Sequence, residues 1–210
     1  MNQVFDFFIE AYKGAPTHHI ILEAIAFVFG ILSVWYAKKE DILVYPTGII
    51  CTVITVYLLY INQYFGDMMM NFYYSIMSVY GWWNWSRKRE NKFIVPISRT
   101  TLKEKQIGIL LFIVTMIVTY FVYLAFNYTL EIPNYIDMVT SGIFFTAMWY
   151  MANKKLENWT LWIIADIVTI PLYAYRGLGM LSLQYVIFTI LAIQGYNTWK
   201  KRLNSSRQTV

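Results

Sequence analysis

The chain has 210 residues, of which 58% are hydrophobic and only 14% are charged, and its formal net charge is +5. Soluble domains carry roughly 25% charged residues, so this composition excludes an ordinary soluble protein and predicts an integral membrane protein. The positive charges lie in short segments between apolar runs, a pattern that sets membrane topology and does not indicate a nucleic-acid partner. A single cysteine, Cys51, excludes an internal disulfide.

Residues 1–18 lack the basic start and apolar core of a signal peptide, and their apolar side chains predict an interfacial helix that lies on the membrane surface. The rest of the chain consists of apolar runs without the period-2 alternation of a membrane barrel. About 20 helical residues cross the hydrocarbon core. The runs therefore predict an all-α fold with seven transmembrane helices, at 19–37, 42–60, 66–86, 107–126, 135–151, 157–175 and 177–199.

The distribution of Lys and Arg predicts the orientation. All but two of these 17 residues lie in the loops 37–41, 86–106 and 152–158 or after residue 199, and only Lys13 and Arg176 lie on the other side. Positive residues concentrate in cytoplasmic loops. We therefore expect a cytoplasmic carboxyl terminus and, with seven spans, an amino terminus outside.

The first three predicted helices resemble the last three. A shift of 114 residues places Trp149 over Trp35, Gly195 over Gly81 and Trp199 over Trp85, with nine identities among the 51 aligned pairs. One helix between the triplets keeps both in the same direction, so the repeats are parallel. The organisation predicted is a first three-helix bundle at 19–86, a cytoplasmic loop and linker helix at 87–134, a second bundle at 135–199 and a cytoplasmic tail at 200–210.

Two segments carry a family resemblance. The stretch Tyr80-Gly81-Trp82-Trp83-Asn84-Trp85 with the basic residues after it, and the run from Glu157-Asn158-Trp159 through Asp166 to Trp199, resemble the PnuC family of vitamin-precursor transporters. The resemblance implies a 3+1+3 arrangement like that of the SWEET sugar transporters, facilitated uptake of nicotinamide riboside and trapping of the product by a cytoplasmic kinase. It also implies a homotrimer in a bacterial inner membrane. Thiamine, riboflavin and, more distantly, a neutral sugar remain alternative substrates.

Helical spacing selects candidate binding residues. Asn71, Tyr74, Ser78, Gly81 and Trp85 share one face of the third predicted helix, because they follow steps of three and four residues. The equivalent face of the last helix begins at Tyr185 and Phe188, next to Gln184. Either these side chains line a substrate cavity, or the amides only tie helices together while the rings only pack.

The sixth predicted helix carries the one acid well inside a span, Asp166. A carboxylate there costs roughly 2.5–3.5 kcal/mol on insertion scales, so it should face a wet cavity or a donor such as Gln184 or Asn71, or remain protonated. It could attract a cationic substrate, relay protons or only position its helix. Tyr173, seven residues later, lies on the same side, and Pro171 predicts a bend because it removes a helix hydrogen bond.

Tryptophans mark the basic ends of the spans. Trp82, Trp83, Trp85 and Trp199 are mostly expected to form an interfacial belt, and the equivalent pair Trp35 and Trp149 are candidate gates. The two histidines have no metal-ligand spacing, and catalytic motifs of the GxSxG or HExxH type are absent from the sequence. We therefore predict a transporter that is not an enzyme and uses no metal or cofactor.

Overall fold

The computed structural model describes residues 16–61, 65–89, 92–93, 95–125, 130–175 and 179–208. The helices in these ranges are α1 (Thr17–Lys39), α2 (Val44–Ile61), α3 (Phe65–Ser86), α4 (Leu102–Ala125), α5 (Ile132–Ala152), α6 (Glu157–Tyr175) and α7 (Gly179–Gln208). Two strands, β1 (Lys88–Arg89) and β2 (Lys92–Phe93), pair antiparallel between α3 and α4. Residues 1–15, which hold most of the predicted surface helix, lie outside the described residues.

Four of the helices are long and apolar enough to cross a membrane: α1, α2, α4 and the part Gly179–Ser205 of α7. The other three, α3, α5 and α6, have 22, 21 and 19 residues, close to the length that a crossing needs. Their polar side chains lower their hydropathy, and much of α5 is buried against other helices. The prediction of seven helices is confirmed among the described residues.

Most predicted boundaries differ from the observed ones by a few residues, and that of α6 agrees. The largest difference is at the end of the chain, where α7 continues to Gln208 beyond the predicted limit of 199. Hydropathy reports where the apolar environment ends, whereas a helix can continue into water through residues such as Lys200 and Lys201.

The helices pack as two sequential triplets. Helix α2 packs between α1 and α3, and α6 packs between α5 and α7, while α4 lies mainly against α5. The triplets contact each other through two helix pairs, α1 with α7 and α3 with α5. Adding 114 to the bounds of α1, α2 and α3 gives 131–153, 158–175 and 179–200, which nearly coincide with α5, α6 and the start of α7, whose end lies eight residues further on.

The turns after α1 and α5 have the same backbone conformation. Glu40 (φ 62°) and Lys154 (φ 50°) are the non-glycine residues with positive φ in the described part of the chain, and they are 114 positions apart. This left-handed conformation costs roughly 1–2 kcal/mol for an L-residue. The amide N–H of Glu40 closes α1 by bonding the carbonyl of Ala37.

The segment before α4 is fastened to the turn between α5 and α6. The N–H of Ser98 bonds the carbonyl of Lys154, and the carbonyl of Ser98 accepts from the N–H of Leu156. Lys155 pairs with Glu104 at 2.7 Å, and Glu104 also caps the start of α4 through Thr101. The linker is therefore tied to the second triplet.

The densest core lies at the end of the molecule that carries the α1–α2 and α5–α6 turns. Each triplet contributes three residues to this core: an aromatic ring at the start of its middle helix, and a glycine and a tryptophan on its third helix. They are Tyr45, Gly81 and Trp85 in the first triplet and Trp159, Gly195 and Trp199 in the second. A Cβ added at Gly81 would lie 2.5 Å from the Tyr45 hydroxyl oxygen, and one at Gly195 would lie 2.7 Å from the Trp159 ring. Both glycines are thus needed for close packing.

Candidate functional site

A connected set of aromatic rings lies in the middle of the second triplet and reaches α3 of the first. We call it the aromatic cluster; its members are Tyr74, Phe144, Phe145, Trp162, Tyr173, Tyr185 and Phe188. The Tyr73 ring borders the cluster and stacks on Phe145 at 3.9 Å. Four different helices contribute to the cluster. The structure thus brings together Tyr74, Tyr173, Tyr185 and Phe188, the four aromatic residues proposed from sequence for binding.

Tyr185 is the centre of one half of the aromatic cluster. Its ring centroid lies 5.3 Å from that of Tyr173, 5.9 Å from Phe188 and 6.0 Å from Phe144. Helix α7 places Tyr185 and Phe188 on one face because they are three residues apart. The tilted and edge-on geometry of these pairs is the one that aromatic quadrupoles favour.

Trp162 connects the other half. Its ring lies 5.3 Å from Phe144 and 6.3 Å from Tyr74, so it bridges the second triplet to α3 of the first. Tyr74 in turn lies 6.2 Å from Phe145. The rings lie on four helices and all but the buried Phe144 are half-buried. Such a set can stack against a flat ligand and attract a cation through its π-faces.

Asp166 lies on the same face of α6 as Trp162 and Tyr173, four residues after one and seven before the other. It is only 1% exposed, and its Oδ1 atom has no hydrogen-bond partner among the described residues. Gln184 and Asn71, the two possible donors named from sequence, do not donate to this atom. A buried acceptor without a donor is costly, and a bound cation or donor would relieve that cost.

Gln184 is buried where α7 meets α1 and α2. A Cβ at Gly30 would lie 3.0 Å from Gln184 Nε2, 3.2 Å from Cys51 Sγ and 3.4 Å from the Phe188 ring. The glycine in α1 therefore leaves the space that the amide and the phenyl ring occupy. Gln184 and Phe188 lie one turn apart on α7, so the amide is close to the aromatic cluster.

Asn71 lies half-buried on α3, one turn before Tyr74. Its backbone carbonyl accepts a hydrogen bond from Ser75 Oγ at 3.0 Å. Helix geometry places it on the Tyr74 side of α3, and its contact with a ligand stays a prediction.

The residues predicted to bend or gate are spread over three helices. Helix α6 continues through Pro171, whose side chain is exposed, and Ser182 Oγ donates to the neighbouring carbonyl of Ile170 at 3.0 Å. Trp35 contacts Lys39, whose Nζ lies 3.4 Å from the ring centroid. Trp149 packs against the buried core at the same end. Their roles as hinge and gates stay predictions.

The interfacial-belt interpretation fails for two of the four tryptophans. Trp82 and Trp83 are 42% and 59% exposed, as a belt requires, whereas Trp85 and Trp199 are 2% and 0% exposed. The Trp199 indole N–H instead donates to the carbonyl of Ala37 at 3.0 Å. These two rings fill the contact between the triplets.

Three members of the aromatic cluster, Phe144, Phe145 and Trp162, were not among the residues proposed from sequence. Each lies in an apolar run, where a ring that faces a site has the same pattern as a ring that faces lipid. The repeat offers one signal, because the positions equivalent to Phe144 and Trp162 are Gly30 and Gly48. A large side chain opposite a glycine in the other copy marks a place where the copies differ.

These helices, four of them apolar enough to span a bilayer, define a multi-pass helical membrane protein. Residues 20–201 match the model of the nicotinamide mononucleotide transporter family, and the chain belongs to that family. The resemblance to PnuC transporters is thereby confirmed.

Individual relatives agree with the family assignment. The nicotinamide riboside transporter PnuC of Escherichia coli (strain K12) is 23% identical over 210 residues, which cover 89% of this chain and 87% of that protein. The protein of the same name from Neisseria mucosa is 28% identical over 193 residues, covering 86% and 72%. A crystal structure of the vitamin B3 transporter PnuC superposes with a TM-score of 0.68 and 25% identity, covering 94% of this chain and 88% of that one.

Proposed function

We propose that this chain carries nicotinamide riboside across a bacterial inner membrane by facilitated diffusion, and that a cytoplasmic kinase then traps it as the phosphate. The observation that carries this proposal is the aromatic cluster beside the buried, unpaired Oδ1 of Asp166. Nicotinamide riboside has a flat pyridinium ring with a positive charge. Aromatic rings stack on such a group, and a carboxylate neutralises its charge. The rings of Trp162 and Tyr173 and the carboxylate of Asp166 lie on the same face of α6.

The same chemistry favours the riboside over its phosphate. The family model is named for the mononucleotide, whereas the curated relatives are named for the riboside. A phosphate carries about 1.5 to 2 negative charges at neutral pH. Helices α3, α5 and α6 and residues 179–199 of α7 contain no Lys or Arg, so they offer a phosphate no cationic side chain, while Asp166 would repel it.

The transport mechanism that we propose is alternating access between two parallel triplets in a 3+1+3, SWEET-like arrangement of seven membrane-spanning helices. Its support is the near coincidence of helix bounds after a shift of 114 residues and the equivalence of the two contacts between triplets, α1 with α7 and α3 with α5. We further propose that the amino terminus is outside, that the carboxyl terminus is cytoplasmic, and that the protein forms a homotrimer. Reporter fusions that locate both termini on one side would contradict this topology.

Isothermal titration of the purified protein tests the substrate. We expect heat of binding with nicotinamide riboside and none with nicotinamide mononucleotide, riboflavin or sucrose. Thiamine is the informative competitor, because it is also a flat cation. Binding of thiamine alone would leave the transporter class intact and contradict the proposed substrate.

Two amide substitutions test the site. Gln184→Ala and Asn71→Ala should each weaken riboside binding about tenfold, a loss of about 1.4 kcal/mol, because a hydrogen-bonding group near the rings is removed. Gln194→Ala is the matched control, since this glutamine lies ten residues later on α7 and is exposed. Unchanged affinity in both test variants, with normal folding, would remove the two amides from the site.

A further inference from the structure

The two turns with positive φ contact each other across the molecule. Glu40 Oε1 and Lys154 Nζ lie 2.8 Å apart, and Glu40 Oε2 lies 2.7 Å from Nη1 of Arg202 on α7. Glu40 ends the first helix of its triplet and Lys154 follows the first helix of the other, at positions 114 residues apart. The ion pair therefore joins equivalent points of the two triplets.

The pair lies over a closed end of the molecule. The Lys154 side chain is only 5% exposed and that of Glu40 is 21% exposed, and Lys154 Nζ lies 4.6 Å from the centroid of the Trp85 ring. Beneath it, the Trp85 and Trp199 rings are 6.0 Å apart. Each tryptophan belongs to a different triplet, so this end is filled by side chains from both.

Two further hydrogen bonds cross the same boundary. The Trp199 indole donates to the carbonyl of Ala37, at the end of α1, and Asn84 Nδ2 donates to the carbonyl of Ala152, at the end of α5, each at 3.0 Å. In both cases the last helix of one triplet donates to a carbonyl at the end of the first helix of the other, where acceptors lack a full set of intrahelical partners; the carbonyl of Ala37 also accepts the N–H of Glu40. These contacts join the two triplets at this end.

We infer that Glu40, Lys154 and Arg202 form an ion-pair latch that keeps the Lys/Arg-rich end of the transporter shut, and that substrate passes this end only after the latch separates; this rests on the proposed function. Ion pairs suit such a role because their hydrogen bonds need close donor–acceptor contact and are lost when the partners move apart. Their net stabilisation is small, since desolvation of the charges offsets much of their attraction. A latch of this kind holds the end closed without preventing it from opening.

The structure offers a matched control for the latch. Lys155, next to Lys154, makes an ion pair of similar length with Glu104 at 2.7 Å. That pair joins the start of α4 to the second triplet and does not cross to the first. Lys155→Met therefore makes the same chemical change as Lys154→Met without loosening the contact between the triplets.

Distance measurements between spin labels test the latch. Labels on Leu43→Cys and Thr160→Cys, in a Cys51→Ser background, place one exposed reporter on each triplet at the latched end. In lipid nanodiscs, with the labelled chain diluted by unlabelled protein so that only distances within one chain are seen, we expect one short distance in the parent protein. Lys154→Met should raise the population at longer distances about fivefold, the factor expected for a contact of modest strength.

Glu40→Gln is the second test variant, because glutamine keeps the size of the side chain and one acceptor oxygen but removes the charge and the second acceptor. It should also increase the longer-distance population, while Lys155→Met should not. Unchanged distances in Lys154→Met and Glu40→Gln would overturn the latch, and so would an equal increase in Lys155→Met.

Titration of nicotinamide riboside into the same samples separates this inference from the proposed function. Riboside binding with unchanged distances would overturn the latch and leave the function standing. Opening of the latch variants without riboside binding in the parent protein would overturn the substrate and leave the latch standing.

Discussion

Equivalent residues of the two triplets are similar at the latched end and different in the middle of the molecule. At the latched end, equivalent positions have matching roles: Tyr45 and Trp159 place a ring, Gly81 and Gly195 provide room for it, and Trp85 and Trp199 pack against it. The ring centroids are 5.1 Å apart for Tyr45 and Trp85 and 5.4 Å apart for Trp159 and Trp199, both nearly edge-on. The two copies form the same three-residue contact.

In the middle the copies differ in size and polarity. The positions equivalent to Phe144, Trp162, Asp166 and Gln184 are Gly30, Gly48, Thr52 and Met70. Large rings and polar groups lie in the second triplet where the first has small or apolar residues. If the proposed latch and site are correct, closure uses both triplets alike, whereas substrate recognition depends mainly on the second.

The largest expected effect on stability is at the latched end, where the two triplets have equivalent contacts. Trp199→Ala should lower the free energy of unfolding by about 3–5 kcal/mol, because it empties a fully buried site, and Trp85→Ala should have a similar effect. Thermal unfolding in detergent, followed by loss of monodisperse protein, measures both. Trp83→Ala, at a ring that is 59% exposed, is the control and should change the midpoint little. A large effect at only one buried tryptophan would break the equivalence.

The two glycines provide a smaller effect on the same contact. Gly195→Ala and Gly81→Ala should each lower the free energy of unfolding by about 1–3 kcal/mol, because the added methyl group overlaps a neighbouring ring. Gly48→Ala is the milder comparison, since the nearest atom to its added Cβ would be Ser33 Oγ at 3.0 Å, farther than the Tyr45 and Trp159 ring atoms at the other two glycines. The same unfolding measurement applies, and equal midpoints for all three variants would contradict the packing argument.

Binding tests the asymmetric middle. Phe144→Leu should weaken riboside binding about tenfold, about 1.4 kcal/mol, because Phe144 joins the Tyr185 and Trp162 rings. Phe72→Leu makes the same change at a ring on α3 that is 59% exposed, and its affinity should match that of the parent protein. Equal losses in both variants, measured by titration, would show that the aromatic cluster is not the site.

The smallest effect is expected at an exposed contact between the triplets. Lys38→Ala removes the hydrogen bond from Lys38 Nζ to Gln194 Oε1, 2.9 Å long and exposed to solvent. Exposed polar contacts contribute roughly 0–1 kcal/mol, so the free energy of unfolding should fall by less than about 1 kcal/mol and the unfolding midpoint should move little. A shift as large as that of Gly195→Ala would mean that the surface of this end contributes as much as its core.

The sequence predicted the helices well because each depends on a local property. Apolar runs and their 114-residue repeat located every described helix, and steps of three and four residues correctly placed Ser78, Gly81 and Trp85 on one buried face. The end of α7 was missed because hydropathy marks the edge of the membrane and not the end of a helix.

The site was predicted only in part because it depends on contacts between distant helices. Tyr185 and Phe188 were found from their helical face, whereas Phe144 and Trp162 resemble any ring in an apolar run. The burial of Trp85 and Trp199 was missed for a related reason. An indole suits both an interface and a core, and only the opposing helix decides between them.

The charges at positions 40 and 154 have a consequence for assembly from separate copies. If two identical triplets met in a symmetric dimer, each of these positions would face its own counterpart, and Glu would meet Glu or Lys would meet Lys. Because α4 links the two triplets in one chain, their sequences can differ, and the first carries Glu40 where the second carries Lys154. The fused chain can therefore form this ion pair between its two triplets, whereas a symmetric dimer of one triplet could not.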